Sequence, residues 1–141
     1  MSLFKVFDTA GSALTAQSLR LNMTASNLAN AETVAGTPEA AYRSKQPVFA
    51  AALRQADGLP PGTVPGGVQV RDVVESQAPN QALHMPDHPE ADENGNVYRS
   101  NVNTVEEMVN MISASRSYQN NVEVLSTSRD LLMQTLRLGR E

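Results

Sequence analysis

The sequence predicts a mainly α-helical chain, with two long terminal helices paired as a coiled coil around a small, irregular, β-rich insert. Three observations carry this. The last 39 residues hold no proline, and no glycine before Gly139; the apolar series repeats every three or four positions. The first 30 residues carry leucine or phenylalanine at a spacing of seven. All eight prolines lie between residues 31 and 102, which keeps long helices out of the middle.

The C-terminal helix is expected over 103–139. Val105, Met108, Ile112, Ser115, Tyr118, Val122, Leu125, Leu132 and Leu136 mark its apolar face, broken once at Arg129. Asn103 is placed to cap the first turn, and Gly139 to close the helix in a left-handed conformation. Such a helix runs roughly 50 Å, longer than the ~30–35 Å span of a compact domain of this size. It therefore needs a partner, in this chain or in another subunit. Ser113, Ser117, Asn120, Asn121, Ser126 and Ser128 dilute its stripe, so stability is expected to come from assembly.

The N-terminal helix is expected over 3–30. Phe7, Leu14, Leu21 and Leu28 form one seam position; Leu3, Ala10, Gln17 and Thr24 form the other, more weakly. A seven-residue repeat favours a left-handed supercoil with a partner helix, although an ordinary amphipathic core helix shares the pattern. Gly11 lowers helix propensity by about 1 kcal/mol relative to Ala. The helical domain is thus assigned to 1–32 and 103–141, and the insert to 33–102.

Within the insert, Ala41–Phe49 and Val68–Glu75 read as strands, with Ala50–Gln55 open to a helical turn. Asn96–Arg99 reads as a third strand after an Asn94-Gly95 turn. Asp57–Gly67 reads as a flexible, Pro/Gly-rich loop and Pro79–Pro89 as extended chain.

Composition narrows function. A net charge of −4 argues against a broad nucleic-acid footprint. Only 4% of residues are aromatic, which implies a thin core. With no cysteine, disulfides are excluded. No run is apolar enough for a membrane span, and the N-terminus does not read as a cleaved secretory signal. His84 and His88 are separated by Pro86, which defeats a helical metal pair. Glu90–Gly95 imitates half a calcium loop but lacks the closing glutamate. No catalytic, cofactor-binding or metal-ligating set is expected.

Certain motifs go further. Asn101–Val124 (Asn-Val-Asn-Thr-Val-Glu-Glu-Met through Tyr118-Gln-Asn-Asn-Val-Glu-Val), Ser26-Asn-Leu-Ala-Asn30-Ala-Glu-Thr, Tyr42–Phe49, Gly67-Val-Gln-Val and Pro86–Asp92 resemble the bacterial flagellar rod and hook axial family. The resemblance is to its short proximal rod members. It spans nearly the whole chain. Glu32 departs from the asparagine common in the family, and Val34–Tyr42 is longer than usual.

The resemblance implies a structural, non-enzymatic rod subunit that assembles with copies of itself and other rod proteins into the tube enclosing the export channel. It implies ring proteins around that tube and periplasmic location. It also implies delivery by the flagellar type III export apparatus without a cleaved signal. The assembly seam is expected at Phe7, Leu14, Leu21 and Leu28 with Met108, Ile112, Tyr118, Val122, Leu125, Leu132 and Leu136. Asn27 and Asn30 are expected to bond the exit turn or a neighbouring subunit. The alternative is a type III secreted coiled-coil adaptor or chaperone-like protein acting in solution.

Overall fold

A computed structural model describes residues 3–54 and 64–139. In chain order these form α1 (Leu3–Ala29), β1 (Val34–Ala35), β2 (Lys45–Arg54), β3 (Val64–Glu75), β4 (Gln81–His84), β5 (Asn96–Arg99) and α2 (Thr104–Leu138). Residues 57–63 of the expected Pro/Gly-rich loop lie outside the described residues.

Both long helices form where their periodicity places them. At the start of α2, the Asn103 side-chain oxygen accepts from the amides of Val105 (3.1 Å) and Glu106 (3.3 Å), occupying two donors the helix leaves unpaired. Its end differs from expectation. Gly139 is not left-handed; its amide donates to the Thr135 carbonyl at 3.1 Å and simply continues the helical pattern.

The expectation of a mainly α chain is corrected. Strands make up about 23% of the chain, in two antiparallel sheets. One orders as β1-β5-β4, the other pairs β2 with β3. Proline misled the reading at one strand: Val64–Gly67, expected as the end of a Pro/Gly-rich loop, open β3, whereas the expected strand Ala41–Phe49 already contained Pro47. Pro47 lies inside β2 and Pro65 inside β3, and in a two-stranded ribbon every strand has a free edge on which a missing N–H costs nothing. Ala50–Ala52 belong to β2 rather than to a helical turn, because ladder bonds override alanine's helical preference.

The chain divides into two compact units. One contains the described residues of 20–47 and 73–112. Here β5 is the central strand, pairing Tyr98 with Ala35 and Ala82, and Leu83 with Val97. Val97 is the largest fully buried apolar side chain in the structure. The β4–β5 connection turns on Gly95 at φ +74°, with Asp92 Oδ1 accepting from the amides of Asn94 (2.9 Å) and Asn96 (2.8 Å). The calcium-like segment therefore spends its best carboxylate oxygen on its own backbone.

The other unit contains the described residues of 1–19, 48–72 and 113–141. Ala10, Ala16, Ala114 and Ser128 are its buried helical positions. Here β3 meets α1 closely at Gly67. Ser12 Oγ donates to the Thr9 carbonyl (2.8 Å) and accepts from the Val68 amide (3.0 Å). Gly67 has φ +135°, and a Cβ there would stand 2.3 Å from Ser12 Oγ.

Two glycines of this unit, Gly11 and Gly67, should respond oppositely to alanine. A Cβ on Gly11 meets nothing within 4 Å, so Gly11→Ala should stabilise by about 1 kcal/mol. Gly67→Ala should destabilise by about 2–3 kcal/mol through backbone strain and loss of the Ser12–Val68 bond. Urea unfolding of the two variants beside the parent checks both signs.

Candidate assembly interface

The N-terminal motif Ser26–Thr33 folds as the exit of α1. Asn27 is 1% exposed and uses all its bonding capacity. Its Oδ1 accepts from the Lys45 amide (2.9 Å) and Tyr42 hydroxyl (3.0 Å); its Nδ2 donates to the Lys45 carbonyl (2.9 Å) and Ser44 Oγ (3.3 Å). The side chain thereby imitates a strand partner for the first residue of β2. Asn30 Nδ2 donates to the Ser26 carbonyl at 2.8 Å, serving one of the helix's terminal acceptors. Glu32, the family departure, pairs with Arg99, whose Nε also donates to the Ala31 carbonyl at 3.4 Å.

A second asparagine holds the same strand entry. Asn101 Oδ1 accepts from the Ser44 amide (2.7 Å), and its Nδ2 donates to the carbonyls of Ala78 (2.9 Å) and Ser76 (3.3 Å). The Ser76 amide in turn donates to the Ser44 carbonyl at 2.8 Å. Asn80 Nδ2 bridges the carbonyls of Tyr42 and Arg99. Asn80 and Asn101 were not expected as anchors. Their spacing carries no periodic signal, and an asparagine between two elements reads as an ordinary turn residue.

Helix α2 presents an unusual distribution of burial. Its covered positions include Glu107, Ala114 and Ser128, with Met111, Asn121, Leu125 and Leu132 half-buried. Glu107, Ala114, Asn121 and Ser128 follow a spacing of seven, a heptad signal written in small and polar residues. The large apolar side chains lie elsewhere. Val105 (69% exposed), Met108 (56%), Val109 (62%) and Ile112 (55%) form one i, i+3, i+4, i+7 patch, and Val122, Val124, Leu131, Met133, Leu136 and Leu138 are exposed further along.

Of the expected seam residues, Phe7, Leu14, Leu21 and Leu28 are half-buried on α1, as are Leu125 and Leu132 on α2. Met108, Ile112, Tyr118, Val122 and Leu136 are exposed. On this surface the side chains offer dispersion and burial rather than chemistry. Among the described residues no group of His, Asp and Glu is arranged to hold a metal, and no helix is long and apolar enough to cross a membrane.

The asparagine hub is testable. Asn27→Ala removes the side-chain partners of the part-buried Lys45 amide and carbonyl, and should cost about 3 kcal/mol in urea unfolding. Asn27→Asp keeps the shape but removes both Nδ2 donors, and should also destabilise. Parent-like midpoints for both variants would contradict the role given to this residue.

Comparison with known proteins agrees with this geometry. Residues 7–36 match the family model described as flagella basal body rod protein. Residues 93–138 match the C-terminal model of flagellar basal body rod FlgEFG proteins. Over 140 residues, covering 99% of this chain and 100% of each relative, the sequence is 54% identical to flagellar basal-body rod protein FlgC of Escherichia coli O6:H1. On the same coverage it is 53% identical to FlgC of Salmonella typhimurium and 50% to that of Yersinia enterocolitica. With identity of this level running the full length of both chains, the protein belongs to the FlgC family of flagellar basal-body rod proteins, whose members are structural and not enzymes.

Proposed function

We propose that this chain is a rod subunit that polymerises with its own copies and other rod proteins into the tube that passes torque outward and surrounds the export channel. Residues 1–32 and 103–141 act together as the tube-building helices, and 33–102 fill the space toward neighbouring subunits and the surrounding ring proteins. The subunit travels through the type III export apparatus without a cleaved signal and becomes ordered at the growing tip, in the periplasm.

The observation that carries this reading is the burial pattern of α2. The isolated chain covers small and polar positions and leaves the larger apolar side chains in water. Contiguous exposed apolar patches of this kind mark surfaces that meet another molecule. A contact that repeats between unlike surfaces without closing generates a filament. A subunit that gains apolar burial only on joining the tip remains dispersed beforehand, since its terminal helices lack a sufficient partner. A soluble secreted adaptor would instead be expected to bury this face in a closed dimer, and its full-length relatives would not carry the name of a rod protein.

Leu21→Asp combined with Ile112→Asp should abolish swimming while export of the subunit continues. The experiment is complementation of a null strain, scored by motility and by subunit in the secreted fraction. Because Ile112 is exposed, Ile112→Asp alone should retain the parent circular dichroism and still impair motility. Normal swimming of the double variant would refute the assignment.

A further inference from the structure

The sequence holds one Asn-Gly pair, Asn94-Gly95, in the connection from β4 to β5. Such a pair carries a reaction of its own. A backbone nitrogen can attack the side-chain carbonyl of the asparagine before it, and glycine offers the least hindered nitrogen because no Cβ flanks it. Whether the reaction runs depends on what holds that nitrogen.

Here the fold holds it from several sides. The Gly95 amide donates to the Asp92 carbonyl at 2.9 Å, and the Asp92 amide donates to the Asn96 carbonyl at 2.9 Å. With Gly95 at φ +74°, Glu93, Asn94 and Gly95 form the three-residue loop of a small hairpin, a type I turn closed by a left-handed glycine. Asp92 Oδ1 accepts from the amides of Asn94 and Asn96, and Asp92 Oδ2 accepts from the Tyr98 hydroxyl at 3.4 Å. The Gly95 carbonyl accepts from the Met85 amide at 2.8 Å. The His84 ring and Pro86 each stand 3.1 Å from where a Cβ on Gly95 would be, so the glycine has little room to swing. The Asn94 side chain itself is exposed.

Two features of this turn oppose the reaction. The Gly95 nitrogen keeps its proton while that proton is shared with the Asp92 carbonyl. The third residue of a type I turn also has ψ near 0°. Ring closure requires the Gly95 nitrogen to eclipse the Asn94 Cβ about the Cα–C bond, a rotation far from that value. Both constraints vanish when the hairpin opens.

We propose that Asn94 is a self-modification site gated by folding, closed in the folded chain and open in the unfolded one. In the open chain the Gly95 nitrogen gives its proton to a solvent base and bonds to Asn94 Cγ. The bond from Cγ to Nδ2 breaks, and ammonia leaves. Water then opens the five-membered ring, and nothing is oxidised or reduced. Opening at the new bond leaves an aspartyl residue in an ordinary chain. Opening at the old peptide bond routes the chain through Cγ, an isoaspartyl linkage one methylene longer.

The two products meet the fold differently. The aspartyl product keeps the backbone and adds one carboxylate at an exposed position. The isoaspartyl product lengthens the loop, so the bonds that Gly95 makes to Asp92 and to Met85 no longer close together. Val97, fully buried on β5, follows two residues later. The fold therefore rejects the isoaspartyl chain, and a chain held unfolded for long loses the ability to pair β4 with β5. On the rod reading above, that interval is the one before the subunit joins the tip; the chemistry rests on no part of that reading.

The test incubates the purified full chain in mildly alkaline buffer, native and in concentrated guanidinium chloride. Peptide mapping reads conversion at position 94 from the mass change of NH2 to OH, and fragmentation separates the two products. The unfolded chain should convert about tenfold faster or more, since the native chain reacts only through local opening. Asn94→Gln, which would have to close a larger ring, should stay silent in both states. Asp92→Ala, which removes the acceptor of the Asn94 and Asn96 amides, should speed conversion in the native chain severalfold, with circular dichroism confirming that the helices remain. After dilution from denaturant, the folded fraction from size exclusion should be depleted severalfold in isoaspartyl chain relative to aspartyl. Equal rates in the native and unfolded parent would overturn the gate, and an unmodified Asn94 in guanidinium would overturn the site. Isoaspartyl chains that refold alongside aspartyl ones would overturn the rejection. None of these readouts measures assembly, so the rod reading stands or falls separately.

Discussion

The structure depends on two asparagine side chains that grip the entry to β2. Asn27 arrives from the end of α1 and bonds the Lys45 backbone; Asn101 arrives from just before α2 and accepts from the Ser44 amide. Neither contributes apolar burial. Each replaces a missing strand neighbour with an amide of the same bonding capacity, so the chain enters the ribbon with its polar groups satisfied. Tyr42 closes the arrangement by donating to Asn27 and receiving from Ser26. Aromatic-poor composition makes such a device necessary, because few large side chains are available to hold the connection by packing.

From that constraint follows the unusual character of the core. The fully buried side chains of greatest volume are Val97 and Asn27. Elsewhere among the described residues the buried side chains are mostly alanines and serines, with Thr24 and Glu107, and these remove little apolar surface from water. The larger aliphatic residues of α2 remain outside. A chain organised this way removes little apolar surface from water by itself. The FlgC family relationship supplies the setting, the rod of the flagellar basal body.

The sequence reading and the structure diverge for identifiable reasons. The helices were legible because their periodicity is local and uninterrupted. Asn103 was legible as a cap because capping involves only the next three residues. The β content was underestimated because prolines and glycines normally end strands, whereas Pro65, Gly66 and Gly67 sit inside β3 and Ala50–Ala52 extend β2. Gly139 shows the converse: a residue type able to adopt a left-handed conformation need not do so where the helical bond to Thr135 persists.

What the amino-acid sequence determined by itself was the pair of long terminal helices, the Asn94-Gly95 turn, the absence of catalytic chemistry and, through its motifs, the family. These depend on spacing of a few residues or on residue identity. What only the tertiary structure decided was which face of α2 the chain covers, and which polar residues hold the insert in place. Apolar spacing on a helix reports a surface that seeks burial, but it does not say whether this chain or a neighbour provides the cover. Asn101 meets Ser44 across 57 residues, and a bond of that span exists only once the fold has brought its ends together.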